Sequence, residues 1–197
     1  MCFGPSDENL EFDGWDWEEF AMVSLGALYH RPAMHAVTID YFHGAISAME
    51  RLKMEGCRRP GLVVDGELEA RTGHRWRGGF LAGSGMDDRG VIKRVYAGRA
   101  KDRRALERWI RKEKIDGIMT IHPELWRCLD ELKIKVVSLN DFFRRPGVPY
   151  LALDPKRIGS EGVRLLHHLL LRREMGLPGE PKMVALRGVF RLMDNLE

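Results

Sequence analysis

An α/β fold built on a parallel sheet is what this sequence predicts, and three observations lead there. From Phe42 onward, segments with helical periodicity alternate with short apolar runs of strand character. The connections between them are short and rich in turn residues, as crossovers between parallel strands require, and each helix then covers a sheet face. At 197 residues with 44% hydrophobic residues, the chain can bury one substantial core or two small lobes.

The elements follow in order. Residues 20–25 and 35–39 are short strand candidates separated by Tyr29-His30-Arg31-Pro32, and the residues before Trp15 carry no periodicity. Residues 43–56 place Ile46, Met49, Leu52 and Lys53 along one stripe, and Gly56 is a stop signal, which predicts an amphipathic helix with its cap. Residues 61–65 (Gly-Leu-Val-Val-Asp) read as a buried strand. A helix over 70–82 carries Trp76 and Phe80 four apart, and 91–96 is the next strand. The alternation continues with helix 102–113, strand 117–121, helix 123–133 and strand 135–139. Residues 141–149, with two prolines and a glycine, break the pattern and read as a hinge or crossing loop. Residues 152–188 form one unit: a crossing strand, a helix opened by Asp154-Pro155, a Gly/Pro turn and a returning strand. Its helix carries Ile158, Gly162, Leu165, Leu166, Leu169 and Leu170 as one apolar stripe.

Composition excludes several classes. A net charge of +3 is far from the concentrated basic surface that displaces counterions from nucleic acid. The arginine-rich stretch 99–114 interleaves Ala105, Leu106, Trp109 and Ile110 at helical spacing and reads as the solvated face of an amphipathic helix. No apolar run approaches the roughly 20 residues of a membrane span. The first residues are acidic and aromatic where a secretory signal is basic and then apolar, so a soluble, cytoplasmic protein is expected. Cys2, Cys57 and Cys128 are odd in number with no C-x-x-C spacing, so Cys57 and Cys128 read as packing residues.

Motifs of catalysis, metal binding and cofactor binding are missing. Residues 83–88 (Gly-Ser-Gly-Met-Asp-Asp) lack the third glycine of G-x-G-x-x-G and follow a helix, so they read as a loop. There is no G-x-S-x-G, P-loop or H-E-x-x-H, and His167 and His168 are adjacent and so point to different helix faces. His30 and His35 have no partnering carboxylate pattern. No cofactor and no metal are expected.

Five stretches, in this order, carry a resemblance. They are Asp40 through His43-Gly44-Ala45 to Glu55-Gly56-Cys57-Arg58-Arg59-Pro60-Gly61-Leu62-Val63; Arg71 and Arg75 with Gly78, Gly79 and Phe80; Lys114-Ile115-Asp116-Gly117-Ile118; residues 133–141 (KIKVVSLND); and residues 152–188. Together they resemble the effector-binding domain of LacI-type bacterial transcriptional regulators, a fold shared with type I periplasmic sugar-binding proteins. The first is similar to the family's "GHRRI" run, with Cys57 for His or Tyr and Pro60 for Ile. The others are similar to its "RxxG" plus aromatic, its "PDGIF", its "VVGFDD" and its "EMGRRAVELLLRRI" helix with flanking strands. The resemblance covers residues 20–191. Two departures stand out: the helix-turn-helix headpiece with its "VA…AGVS…TVSR" signature and most of the first lobe's βα series are not in the sequence, and Thr120-Ile121-His122-Pro123-Glu124 stands where the family often has "ANDxxA".

The resemblance implies a periplasmic-binding-protein-like type I domain with a complete second lobe and a partial first lobe. Its parts are an irregular N-terminus (1–14), a first-lobe remnant (15–40), the second lobe (41–145), a crossing with a first-lobe helix (146–181), and a return strand with a C-terminal tail (182–197). It implies a non-enzymatic sensor of a sugar-like effector in an inter-lobe cleft, acting as a homodimer that meets DNA only through a headpiece not present in this chain. Free-standing solute binding and a small α/β enzyme are the alternative readings.

Carried over by position, Arg71 or Arg75, His122, Asn140 and Asp141 are the ligand candidates, since guanidinium forks, amides and carboxylates suit vicinal hydroxyls. Asp40 and Tyr150 are the crossing candidates. Each has a plainer reading: turn chemistry for Asn140 and Asp141, helix pairs with Glu67 or Glu69 for the arginines, a helix start for His122 and a helix N-cap for Asp40.

Overall fold

In chain order the strands are β1 (Val23–Leu25), β2 (His35–Ile39), β3 (Pro60–Val63), β4 (Val95–Tyr96), β5 (Gly117–Thr120), β6 (Lys135–Ser138), β7 (Tyr150–Ala152), β8 (Met183–Leu186) and β9 (Val189–Arg191). The helices are α1 (Tyr41–Met54), α2 (Gly66–Arg71), α3 (Arg75–Ser84), α4 (Arg103–Glu113), α5 (Trp126–Glu131) and α6 (Pro155–Leu171). This computed structural model describes residues 14, 16–26, 32–85, 90–96, 98–100 and 102–192. The Tyr29-His30-Arg31 connection and residues 86–88 lie outside them. The chain divides into two units and changes unit between Asp40 and Tyr41, between Leu153 and Asp154, and between Leu186 and Arg187; Ala70–Gly73 also belong to the first unit.

The first unit holds a three-stranded parallel sheet in the order β1-β2-β8. All five residues of β2 are buried. Helix α6 packs on β1 and β2, and its start is set by Asp154, whose carboxylate accepts from the amides of Lys156 at 3.0 Å and Arg157 at 3.3 Å. Pro155 sits at the first helical position, where no amide hydrogen is needed. Gly162 is fixed by packing, because a Cβ there would run into the Leu25 side chain. The predicted stripe is only partly covered: Gly162 and Leu169 are buried, whereas Leu170 is half exposed.

The second unit is a six-stranded sheet in the order β4-β3-β5-β6-β7-β9, parallel except for β9, which runs antiparallel to β7. Helix α1 buries Ala45, Ala48, Met49 and Leu52, and ends at Gly56, whose φ of +87° lies in the left-handed region. Lys53 does not join that stripe; it is exposed and its Nζ donates to the Gly83 carbonyl. Helices α1 and α3 meet closely, since a Cβ on Gly79 would collide with the Phe42 carbonyl oxygen and one on Gly44 would press on Leu151 and Trp76. Helix α4 buries Leu106 and Ile110 under an arginine-rich outer face, as the spacing predicts. Cys57 and Cys128 are buried free thiols. The Asp116 carboxylate accepts from the amides of Arg58 at 2.7 Å and Arg59 at 2.8 Å, which ties the approach to β3 to that of β5.

Several expected elements differ. The single helix over 70–82 is two helices, because Gly73 and His74 both take left-handed backbone angles, φ 60° and 57°. The strand over 91–96 is a 3-10 turn at Val91–Arg94 followed by two strand residues. The helix over 123–133 begins as a 3-10 turn at Pro123–Leu125 before α5. Gly83 and Ser84 finish α3 and are not loop.

Candidate functional site

The register of the second unit's sheet puts Val63 beside Thr120 and Thr120 beside Ser138 at the carboxyl ends of β3, β5 and β6. Two residues farther along each strand stand Asp65, His122 and Asn140. Neighbouring parallel strands lie about 4.8 Å apart, so these three positions form a row on the carboxyl edge of the sheet, the side on which α/β sheets bind ligands.

Two buried hydroxyls shape the row. Thr120 Oγ1 accepts from the His122 amide at 3.1 Å, and Ser138 Oγ donates to the Asn140 carbonyl at 2.9 Å. Each last strand residue thus holds the backbone of the row residue two positions on, and so fixes where that side chain starts.

His122 is only 6% exposed. Its Nδ1 lies 3.3 Å from Glu124 Oε1 and its Nε2 lies 3.5 Å from Asp65 Oδ2. Asp65 and Glu124 are both about half exposed, so the ring sits beneath two carboxylates that reach solvent. Nε2 is buried and makes no hydrogen bond, and the same holds for Asn140 Oδ1, two residues past the end of the adjacent strand β6.

Asp141 and Tyr150 belong to a second cluster. Asp141 Oδ2 accepts from the Leu153 amide at 3.2 Å and lies 3.6 Å from Arg144 Nη2. The Arg144 guanidinium stacks over the buried Tyr150 ring, 5.1 Å from its centre. These contacts tie loop 141–149 to β7 and leave Phe142 and Phe143 exposed. Arg75 is the first residue of α3, and the Arg71 side chain lies outside the described residues. Asp40 follows β2 in the first unit, where its amide donates to the Leu186 carbonyl at 2.8 Å.

Asp65 and Glu124 are not among the ligand candidates expected from sequence, and Glu69 is expected there only as a helix pair for Arg71 or Arg75. Glu69 is fully buried: it accepts from the Arg77 amide at 3.2 Å, and its other oxygen lies 3.6 Å from Arg77 Nε and 3.8 Å from His74 Nδ1. Burial pushes its carboxyl above the usual range, against the opposing pull of Arg77 and His74.

A cavity of about 270 Å³ is lined by Leu106, Leu125, Cys128, Arg103 and Arg127, together with Glu124, the carboxylate beside His122 Nδ1. Among the described residues no group of three or more His, Cys, Asp or Glu side chains is placed to hold a metal ion, and no helix is long and apolar enough to cross a membrane.

No family model matches this chain, and no curated protein matches its sequence. Solved structures do match. A protein described as a ribose operon repressor from Burkholderia thailandensis is 20% identical over 87% of this chain and 68% of its own, with a TM-score of 0.63. The transcriptional regulator CelR in complex with cellobiose is 18% identical over 86% of this chain and 57% of its own, with a TM-score of 0.62. A LacI family transcriptional regulator from Arthrobacter sp. FB24, in complex with lactose, is 20% identical over 84% of this chain and 66% of its own, with a TM-score of 0.57.

The fold is that of LacI-family regulators. The α/β class and the mostly parallel sheets agree with the expectation from sequence. The chain spans 57 to 68% of the length of these three proteins.

Proposed function

We propose that this chain is the effector-sensing part of a LacI-type transcriptional regulator, and that a small sugar-like molecule binds along the row Asp65, His122 and Asn140. One observation carries this reading: His122 Nε2 and Asn140 Oδ1 are buried without hydrogen bonds on adjacent strand ends. Leaving such a group unsatisfied costs about 1–3 kcal/mol, and an arriving hydrogen-bonding ligand removes that cost. Hydroxyl groups both donate and accept, so a polyol suits an imidazole, an amide and a half-exposed carboxylate in line.

The comparisons support the class of effector, since structures of the same fold are described with lactose and cellobiose. In the full reading the protein works in the cytoplasm as a homodimer. The effector is held between two lobes, and its binding shifts the affinity of a separate headpiece for operator DNA, with no chemical turnover.

Isothermal titration calorimetry with a panel of mono- and disaccharides tests it. Saturable heat with at least one sugar, recovered unchanged afterwards, and lost in both His122→Ala and Asn140→Leu, is the expected result. Binding that survives both substitutions would place the effector elsewhere and overturn the reading.

A further inference from the structure

Helix α6 carries more apolar surface than its sheet covers. Ile158, Gly162, Leu165 and Leu169 form the stripe on which it packs against β1 and β2, with Gly162 against Leu25. A shift of one residue gives a second stripe, Gly159, Val163, Leu166 and Leu170, about 100° farther around the helix. Val163 is 67% exposed and Leu170 51%, a Cβ on Gly159 meets nothing, and Leu171 beside them is 72% exposed. Met175 and Leu177, in the turn after the helix, are exposed as well. An apolar stripe of this width calls for a partner.

The charges along the helix say what kind. Residues 154–174 hold Lys156, Arg157, Arg164, Arg172 and Arg173 against Asp154, Glu161 and Glu174. All three carboxylates are engaged: Asp154 caps the helix, Glu161 pairs with Arg164 at 2.6 Å and Glu174 with Arg172 at 2.6 Å. Lys156, Arg157 and Arg173 pair with no carboxylate among the described residues. The α6 of a second copy, laid antiparallel, would bring Lys156 and Arg157 onto Arg172 and Arg173, like charge on like. The occupant must be apolar and acidic.

One stretch of this chain has that chemistry. Residues 7–19 hold seven carboxylates and no lysine or arginine, with Leu10, Phe12, Trp15 and Trp17 between them. Among the described residues, the end of this run is already seated in the turn after α6: the Gly176 amide donates to the Phe20 carbonyl at 2.8 Å, and a Cβ on Gly176 would meet the Glu18 carboxylate at 2.7 Å. From there the run can reach the stripe, since residues 7–15 extend to about 30 Å and Val163 to Leu171 takes about 12 Å of helix.

We infer that the exposed stripe of α6 is the docking face for this chain's own acidic run, with Leu10 and Phe12 against Val163, Leu170 and Leu171, and its carboxylates among Arg164, Arg172 and Arg173. The run is a strap that keeps the stripe from other chains, and it is independent of the effector row.

Zero-length carbodiimide crosslinking of the full chain tests this, with Arg173→Lys placing a reactive amine beside the stripe. Mass mapping should find that amine joined to Glu11 or Asp13, and mixing isotope-labelled with unlabelled protein should give products within one chain only. Adding Val163→Glu or Leu170→Glu, both at exposed positions and checked by circular dichroism, should cut the yield fivefold or more, whereas mere proximity along the chain would leave it unchanged. An unchanged yield, or no crosslink to the run, overturns the inference. Mixed-isotope products assign the face to a second copy and overturn it too.

Discussion

Glu69 and Arg77 are joined across the break between α2 and α3: the buried carboxylate accepts the Arg77 backbone N–H at 3.2 Å. His74, the residue that opens α3, is left-handed and makes no side-chain cap. A carboxylate from the preceding helix therefore takes over the capping of the first turn.

This arrangement has a pH signature. Because burial raises the Glu69 carboxyl above its unfolded value, the protonated form favours the folded state, and its contribution is full below the ordinary carboxylate range and lost as pH rises through the folded value. Glu69→Gln keeps the acceptor for Arg77 and removes the buried charge. Its stability relative to wild type should rise between acidic and neutral pH in urea denaturation, whereas Glu69→Ala, which lacks the acceptor, should lie about 1–2 kcal/mol below Glu69→Gln at any pH. A Glu69→Gln protein that weakens relative to wild type as pH rises would show that pairing with Arg77 and His74 outweighs burial.

Two helical glycines should respond in opposite directions. A Cβ at Gly79 meets the Phe42 carbonyl, while one at Gly159 in α6 meets nothing within 4 Å. Gly79→Ala should destabilise by about 1–3 kcal/mol through overpacking, and Gly159→Ala should stabilise by up to about 1 kcal/mol through helix propensity. Thermal unfolding of the two variants beside wild type measures both signs.

Removing the α6 cap should cost about 1 kcal/mol in Asp154→Ala, and Asp154→Asn or Asp154→Ser should recover most of it. The two amides at 3.0 and 3.3 Å need an acceptor and not a charge. If Asn and Ser fail to rescue, the contribution of Asp154 is electrostatic.

Cys57 should be chemically quiet. Burial, helped by the nearby Asp116 carboxylate, pushes its thiol up to about 11, so almost no thiolate exists near pH 8. Iodoacetamide labelling followed by peptide mass mapping should find Cys57 unmodified in the native protein and modified after unfolding. Rapid native labelling at Cys57 would contradict its burial.

Much of the fold is readable from periodicity, and the failures have physical causes. Leu106 and Ile110 announce α4 because one face of that helix is buried and the other solvated. The break before α3 is only half announced, by Gly73, because it also needs a non-glycine residue, His74, held left-handed beside a buried Glu69. Strand β9 is three residues long and exists through pairing with β7, for which local sequence carries no sign. His122 and Asn140 stand out as polar residues after apolar strands, and Asp65 occupies the same place after β3. Its signal was available in the three endings Val63-x-Asp65, Thr120-x-His122 and Ser138-x-Asn140, which become a row only once the register is known.

Whether the effector binds on the carboxyl edge of β3, β5 and β6 is read from a crystal structure of the protein soaked with the tightest sugar from the calorimetric panel. Ligand density is expected within hydrogen-bonding distance of both His122 Nε2 and Asn140 Oδ1, two buried atoms without hydrogen-bond partners. Density confined to the cavity lined by Leu106, Leu125 and Cys128, with those two atoms still unbonded, would contradict it.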